Sequence, residues 1–384
     1  MTSETKSVSG SNKIIIVGGG PAGLTTAGAL KQVGLEATIL DSGARVGQSW
    51  EQRYERLHLH TVRAYSGLAH FPIPRSCPKY LSKDQYAGYL RDYAAHFDLH
   101  YVPNTLVKRV RQENNHGKDG WAVETESGVW SARVVVIATG QYGQPVQPDW
   151  SGLAGFLGET LHSAKYKSGQ AYQGRRVLVV GAGNSGMEIA VDLVEQGASK
   201  VAVSIRSAPP VVPRDFLGTP AQVFGILMNA FPPAVSDRVG SALSRLALGD
   251  LRRYGLPAAQ WAPFALHRTP VIDVGFADAL KEGRVKVKPA VQGFTANGVV
   301  FRDETEEEYD AVVFATGFHT GLKGLLEPEG LVDGNGIPLY RSGEETGYKG
   351  LYFMGFFDSL KGFLYESNQA SKELARNIKV KLYG

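Results

Sequence analysis

The chain has 384 residues, 43% hydrophobic and 20% charged, the mixture of a soluble globular protein, and it exceeds the roughly 250–300 residues at which a single core stops growing. Disorder, collagen and coiled coil are excluded, and two domains, or one elaborated by an insertion, are expected. Lys and Arg number 41 against 37 Asp and Glu, a net charge of +4 with no dense basic run, so no nucleic-acid partner is expected, and the single cysteine, Cys77, excludes an internal disulfide, a redox pair or a Cys-zinc site and points to a reducing, cytoplasmic compartment.

The polar, Ser-rich stretch 1–12 has no apolar core and reads as a flexible tail, neither signal peptide nor anchor. Ile14 to Val17 is a continuous β-branched run, a strand buried on both faces, that feeds Gly18-Gly19-Gly20-Pro21-Ala22-Gly23. Leu24 to Val33 reads as a helix closed by Gly34, and Ala37 to Leu40 as a second strand with Asp41 and Ser42 at its tip. This is the spacing of a dinucleotide-binding turn. Gly18 permits the tight turn, Gly20 with Pro21 and Ala22 lets backbone N–H groups reach a pyrophosphate, Gly23 lets helix and strand pack closely, and Asp41 accepts ribose hydroxyls.

Val134 to Ile137 is a further apolar strand, ending in Ala138-Thr139-Gly140. The first pattern then recurs: strand Arg176 to Val180, turn Gly181-Ala182-Gly183-Asn184-Ser185-Gly186, helix Met187 to Gln196, and strand Lys200 to Ile205. That last strand ends in Arg206-Ser207 with no acid. An arginine there pairs with a 2′-phosphate that a carboxylate would repel, so the second nucleotide reads as NADPH; a solvated surface charge is the alternative for Arg206.

Val223 to Leu251 is apolar and helix-like, but Pro232-Pro233 interrupts it and Arg238, Arg245 and Asp250 punctuate it, so it is too broken to span a bilayer and is expected to form amphipathic helices covering an active-site mouth, with an interfacial membrane helix as the alternative. Val285 to Lys288 and Gly298 to Phe301 read as a hairpin or meander. Ala311 to Phe314 ends in Ala315-Thr316-Gly317, a second Ala-Thr-Gly exit between domains. Leu351 to Gly355 reads as a last strand, followed by a closing helix over Gln369 to Ile378. The expected fold is α/β with two Rossmann-like dinucleotide-binding domains: a tail at 1–12, an FAD-binding domain at 13–160 and 312–384, and an NADPH-binding domain at 161–311 inserted into it.

Two nucleotide folds in one chain imply hydride delivery from a nicotinamide to a second redox cofactor, most simply FAD at the first turn. No metal is expected: His58 and His60 are spaced for one strand face without carboxylates nearby. No GxSxG suggests a hydrolase, and Ser185 lies in the glycine turn, where its task is phosphate contact.

Phe156-x-Gly158-x-x-x-His162-x-x-x-Tyr166, between the two glycine turns, resembles the fingerprint of the flavin-containing monooxygenases; Baeyer–Villiger relatives carry a similar element ending in Trp. Tyr54 to His60, Tyr80 to Tyr86 with Tyr89-Leu90, Gly183 to Glu188 and Thr269 to Gly275 resemble the YUCCA-type indole-3-pyruvate monooxygenases and compact bacterial members. The resemblance implies a class B monooxygenase using FAD, NADPH and molecular oxygen. In such an enzyme NADPH reduces FAD, oxygen adds at C4a, retained NADP⁺ shields the (hydro)peroxyflavin, and one oxygen atom enters a small organic substrate: a sulfide, an amine, or an aromatic 2-oxo acid that is decarboxylated. An NADPH-dependent flavin reductase and a Baeyer–Villiger-type monooxygenase are the alternatives.

The resemblance also implies site residues. Gln48, Trp50, His60, Thr139, Gly140, Ala315, Thr316 and Gly317 belong to the cofactor sites, with a core aromatic as the other reading of Trp50. Thr61 stands where animal-type members keep a flavin-side Asn. Arg214 is placed to stabilise the anionic peroxide, or else to pair with Asp215. Phe356, Phe357 and Phe363 line the pocket or fill the core, and Arg63, Arg252 or Arg253 would receive a substrate carboxylate. A homodimer is the expected assembly.

Overall fold

The computed structural model describes residues 12–115 and 118–383. The tail expected at 1–12 lies outside the described residues except for Asn12, which opens the first strand.

The strand Asn12–Val17 lies inside a parallel arrangement ordered His100–Val102, Thr38–Leu40, Asn12–Val17, Gly128–Ile137 and Leu351–Phe353. Its alternation decides two cores at once. Ile14 and Ile16 pack with Leu24 and Leu30 of the helix Pro21–Gln32 and with Leu374 and Ile378 of the closing helix, while Ile15 and Val17 face Trp121, Val135 and Phe353. Gly128–Ile137 is long enough to serve twice. Its first half pairs antiparallel with Lys118–Thr125, which pairs with Val107–Asn115, and its second half joins the parallel sheet.

The second sheet repeats the plan in the order Val285–Lys288, Lys200–Ser204, Arg176–Val180, Ala311–Phe314 and Glu159–His162, all parallel. Val177 and Val179 face the helix Asn184–Glu195, and Leu178 and Val180 face a separate antiparallel meander of Val291–Phe294, Gly298–Phe301 and Glu306–Glu308. The fold is α/β, and the first sheet is Rossmann-like.

Several expected boundaries move. Val285 to Lys288 does not pair with Gly298 to Phe301: its buried Val285 and half-buried Val287 take it to the edge of the parallel sheet, and the meander is built from Gly298–Phe301 with Val291–Phe294 and Glu306–Glu308. Ala311–Phe314 sits between two strands of the second sheet rather than at the start of the returning segment, and Glu159–His162 is already paired there, so by sheet membership the chain crosses at Glu159 and returns after Phe314. The closing helix begins at Phe363, six residues before the expected Gln369, because Gly362 at φ 95° supplies the turn that starts it. Beside the returning turn, Gln144–Pro145 and Phe318–His319 pair antiparallel, and the Arg53 guanidinium lies 5.6 Å from the Tyr142 ring and 5.8 Å from that of Phe318.

Candidate active site

The two glycine turns show the same pattern of close approaches. Gly18 sits at φ 108° and Gly181 at φ 115°, and a Cβ on either would lie 2.5 Å from the Ala138 carbonyl oxygen or 2.4 Å from that of Ala315. A Cβ at Gly23 would fall 1.9 Å from the Gly18 carbonyl oxygen, and one at Gly186 would fall 2.0 Å from that of Gly181. Only glycine allows these approaches. At Gly20 and Gly183, by contrast, a Cβ would meet nothing within 4 Å. Both residues open a helix and neither helix has a side-chain cap, so the first N–H groups and the positive end of each helix dipole face open space. That arrangement fits one dinucleotide pyrophosphate at each turn.

At the first turn Asp41 is held by three donors: the Gly19 and Gly43 backbone N–H groups and the Tyr101 hydroxyl, the last at 3.0 Å. Burial, and then the Asp41 charge, push the Tyr101 hydroxyl above its ordinary range, so it stays a donor. Ser42 neighbours this cluster in sequence, and Gln48 Oε1 accepts from the Ala44 N–H. At the second turn Arg206 is exposed and makes no hydrogen bond or ion pair among the described residues, while the Ser207 hydroxyl donates to Gln260 Oε1 at 2.8 Å. Asn184 Oδ1 accepts from the Ile272 N–H at 2.8 Å, so this side chain ties the turn to the strand Val271–Asp273.

The four residues of the Phe156 to Tyr166 element all have structural partners. The Phe156 ring packs edge-on against Phe294 at 5.4 Å and occupies the place a Cβ on Gly158 would take, 2.4 Å from the ring. His162 Nδ1 accepts from the Ala164 N–H and its Nε2–H donates to the Gly317 carbonyl, each at 3.1 Å, which fixes one neutral tautomer. Burial lowers its pKa, against the pull of the Gly317 carbonyl. Tyr166 donates to Asp192 Oδ2 at 2.6 Å, and the same oxygen accepts from the Gly169 N–H. The Thr316 hydroxyl donates to the Val146 carbonyl. Gly140 and Gly317, at φ 82° and 91°, make the two exit turns, with Thr139 exposed beside the first.

An apolar cavity of about 470 Å³ opens beyond the turns. Its roof is the helices Ala221–Met228 and Pro233–Leu248, the expected helical segment split at Pro232-Pro233 as the sequence required. Phe216, Phe224, Trp261 and Phe264 supply aromatic wall, and His60, Thr61, Ser359 and Gly362 close the side toward the first sheet. Thr61 Oγ1 lies 2.7 Å from Ser66 Oγ, and Ser66 donates to the Val62 carbonyl, so Thr61 is the donor of that pair. His60 Nε2 contacts Glu188 Oε1, and Tyr54 donates to Glu188 Oε2 at 2.9 Å. Burial and then the Glu188 charge hold the Tyr54 hydroxyl well above its usual range.

Residues 15–212 match the family described as pyridine nucleotide-disulphide oxidoreductase. Indole-3-pyruvate monooxygenase YUCCA1 of Oryza sativa subsp. japonica is 36% identical over 369 residues, covering 93% of this chain and 89% of that one. Indole-3-pyruvate monooxygenase YUCCA8 of the same plant is 36% identical over 364 residues, covering 89% and 85%. The chain belongs to the class B flavin monooxygenases. It is therefore an oxidoreductase. In fold it is similar to the flavin-containing monooxygenase from Stenotrophomonas maltophilia, with TM-score 0.72, 24% identity and coverage of 97% of this chain and 99% of that one. A steroid monooxygenase bound to NADP gives TM-score 0.76 at 20% identity, covering 96% and 85%.

Some expected residues of this monooxygenase stand elsewhere. Arg214 does not pair with Asp215, whose carboxylate is taken by Lys79 and the Tyr80 hydroxyl; its guanidinium lies 4.4 Å from the Tyr80 ring, and it is absent from the cavity lining. Phe356 packs on Phe353 and Phe363 on the first core, and neither they nor Phe357 line the cavity. Trp50 is partly buried and packs edge-on against Tyr86 at 4.7 Å, beside the first core. Of the cations expected to receive a carboxylate, Arg63 donates to the Arg75 and Cys77 carbonyls, Arg253 lies outside the cavity, and Arg252 lines the cavity but forks onto Asp250; Arg245 also lines it, and its side chain makes no hydrogen bond or ion pair among the described residues. Sequence reasoning missed Glu188, Tyr101 and Gln222. The signal for Glu188 was an acid on the apolar face of the second glycine-turn helix, where only a buried partner makes its presence affordable.

Proposed function

We propose that the chain is an FAD- and NADPH-dependent monooxygenase that oxygenates a bulky apolar molecule, with aromatic 2-oxo acids as the favoured class. The observation that carries it is the presence in one chain of a pair of matched glycine turns and an aromatic-walled cavity, together with plant relatives named for indole-3-pyruvate. FAD would sit at the first turn, in residues 12–158 and 315–383, and NADPH at the second, in residues 159–314. Bound FAD, once reduced by NADPH, supplies the activation of dioxygen.

The protein's own tasks follow from its residues. Gly20 and Gly183 leave two helix N-termini open to phosphate, and Asp41 holds the first ribose region in a fixed hydrogen-bonded cluster. Arg206 offers an unpaired guanidinium to a 2′-phosphate. Phe216, Phe224, Trp261 and Phe264 exclude water and accept an aromatic ring, and Arg245 stands at the wall to receive a carboxylate. The test is to load the protein with FAD and follow NADPH consumption and product mass with indole-3-pyruvate, phenylpyruvate and a thioether. Carboxylic acid products one carbon shorter than the 2-oxo acids support the reading. Sulfoxide formation without decarboxylation removes the 2-oxo acid assignment, and NADPH consumption with no oxygenated product removes the monooxygenase reading.

A further inference from the structure

The cavity is apolar, yet the reaction proposed for it consumes a proton. Oxygenation of a substrate S runs NADPH + H⁺ + O2 + S → NADP⁺ + H2O + SO, two electrons coming from the nicotinamide hydride and two from S. Decarboxylation of a 2-oxo acid has the same demand: RCOCOO⁻ + O2 + NADPH + H⁺ → RCOO⁻ + CO2 + NADP⁺ + H2O. A side chain at the wall is placed to carry that proton.

Among the lining residues the choice narrows quickly. Asp237 uses both carboxylate oxygens to accept the Phe264 and Ala265 N–H groups, at 2.9 and 3.0 Å. Arg252 is paired with Asp250, and no arginine gives up a proton near neutral pH. His60 remains, the one lining side chain of a type that exchanges a proton between about pH 5 and 8. Its ring is 22% exposed and its partner Glu188 only 3% exposed. An imidazole nitrogen and a carboxylate oxygen in direct contact share a proton, so Nε2–H donates to Glu188 and cannot turn toward the cavity. Nδ1 has no hydrogen-bond partner among the described residues.

We propose that His60 delivers the consumed proton from Nδ1 into the cavity, with Glu188 and Tyr54 as positioning residues. The assignment rests on the monooxygenase reading above. When Nδ1 gives its proton to the oxygen that leaves as water, the ring stays neutral with Nε2–H still on Glu188, and solvent returns the proton through the exposed edge. Charged groups surround the pair. Arg56, on the same segment, forks onto Glu195 and adds positive potential at Glu188; Asp192, one turn along the helix, is held by Tyr166 and the Gly169 N–H; Arg53 adjoins Tyr54; and Thr61 and Gln222 on the cavity side are uncharged.

The test uses full-length FAD-loaded protein with His60→Gln, Glu188→Gln and Tyr54→Phe. Oxygenation by H60Q is expected to fall at least tenfold further than its anaerobic flavin reduction by NADPH, because the hydride step draws no proton from the cavity. E188Q keeps the shape but loses the charge opposite the ring, so its oxygenation profile moves to lower pH, whereas Y54F removes a donor from Glu188, leaves more of its charge for the ring and moves the profile the opposite way by a smaller amount. A second readout needs no turnover. ¹⁵N-histidine spectra of the oxidised protein, with His60 assigned by its loss in H60Q, are expected to show both ring nitrogens protonated at the pH of activity in the wild type and a neutral tautomer in E188Q. Identical pH profiles in the wild type, E188Q and Y54F, or a wild-type His60 with bare Nδ1 at that pH, would overturn the proposal. If the wild type oxygenates nothing, the monooxygenase reading fails, and the spectrum still decides whether Nδ1 carries the proton.

Discussion

A methyl group at Gly183 would meet nothing within 4 Å, whereas one at Gly186 would press to 2.0 Å on the Gly181 carbonyl oxygen. The two substitutions therefore separate binding from folding. Gly186→Ala forces backbone apart inside the turn and is expected to cost about 1–3 kcal/mol, seen as a Tm lower by several degrees. Gly183→Ala leaves Tm unchanged but places a methyl where the phosphate approaches, so NADPH titration is expected to show at least tenfold weaker affinity. Equal affinity in wild type and G183A would move the nucleotide away from this turn. Tyr166 separates architecture from chemistry in the same manner. Its hydroxyl satisfies Asp192, which is 5% exposed, so Tyr166→Phe is expected to destabilise by about 1–3 kcal/mol in denaturant melts while turnover per folded flavin stays that of the wild type. At this scale the sequence was most legible where sterics are local: a glycine needed for a close approach has few substitutes, so both turns could be read directly. Arg214 could not be, because its partner Tyr80 is more than a hundred residues away, and only the fold brings the guanidinium and the aromatic ring together.

Glu307 stitches one element to another. It lies on the meander strand Glu306–Glu308 and meets Lys288 and Lys200 of the parallel sheet, while the Tyr309 hydroxyl donates to it at 2.8 Å. Burial alone would raise its pKa, but the hydrogen bonds from Lys288, Lys200 and Tyr309 win and lower it from 4.5 to about 2. A carboxylate depressed on folding adds stability above its unfolded value and loses it as the pH falls through the folded one. Glu307→Gln is thus expected to be less stable than wild type by roughly 1 kcal/mol at pH 7, with the gap closing between about pH 4.5 and 2. A gap constant across that window would assign the loss to packing instead. The elements themselves were readable as strands and helices from periodicity, but their partners were not. Val285 to Lys288 is as strand-like as Gly298 to Phe301, and which sheet each joins is decided by the surfaces already present in the fold.

The cavity is a property of the whole molecule, since its walls come from residues 60–61, 209–272 and 359–362, and no window of sequence contains it. Gln222 holds the three together. From the first roof helix its Oε1 accepts the Val62 N–H at 2.9 Å and its Nε2 donates to the Lys361 carbonyl at 2.6 Å, at 7% exposure. Both bonds are made to backbone, so they fix where the neighbouring segments run rather than where a side chain points. The Gly362 turn sits against the same amide: a Cβ there would lie 2.7 Å from Gln222 Nε2 and 2.8 Å from Thr61 Cγ2. Gln222→Leu keeps the volume and removes both bonds, leaving the Val62 N–H and the Lys361 carbonyl without these partners. The roof helix then loosens over the site, and water enters the space that the aromatic wall keeps dry. Flavin content is expected to stay that of the wild type, because the first glycine turn is untouched, while hydrogen peroxide released per NADPH consumed rises severalfold in the presence of substrate. Measuring that ratio beside the Tm separates two roles for the amide. A lower Tm with an unchanged ratio would make Gln222 a folding contact only, and a raised ratio at nearly constant Tm would make it the clasp that keeps the cavity closed during turnover.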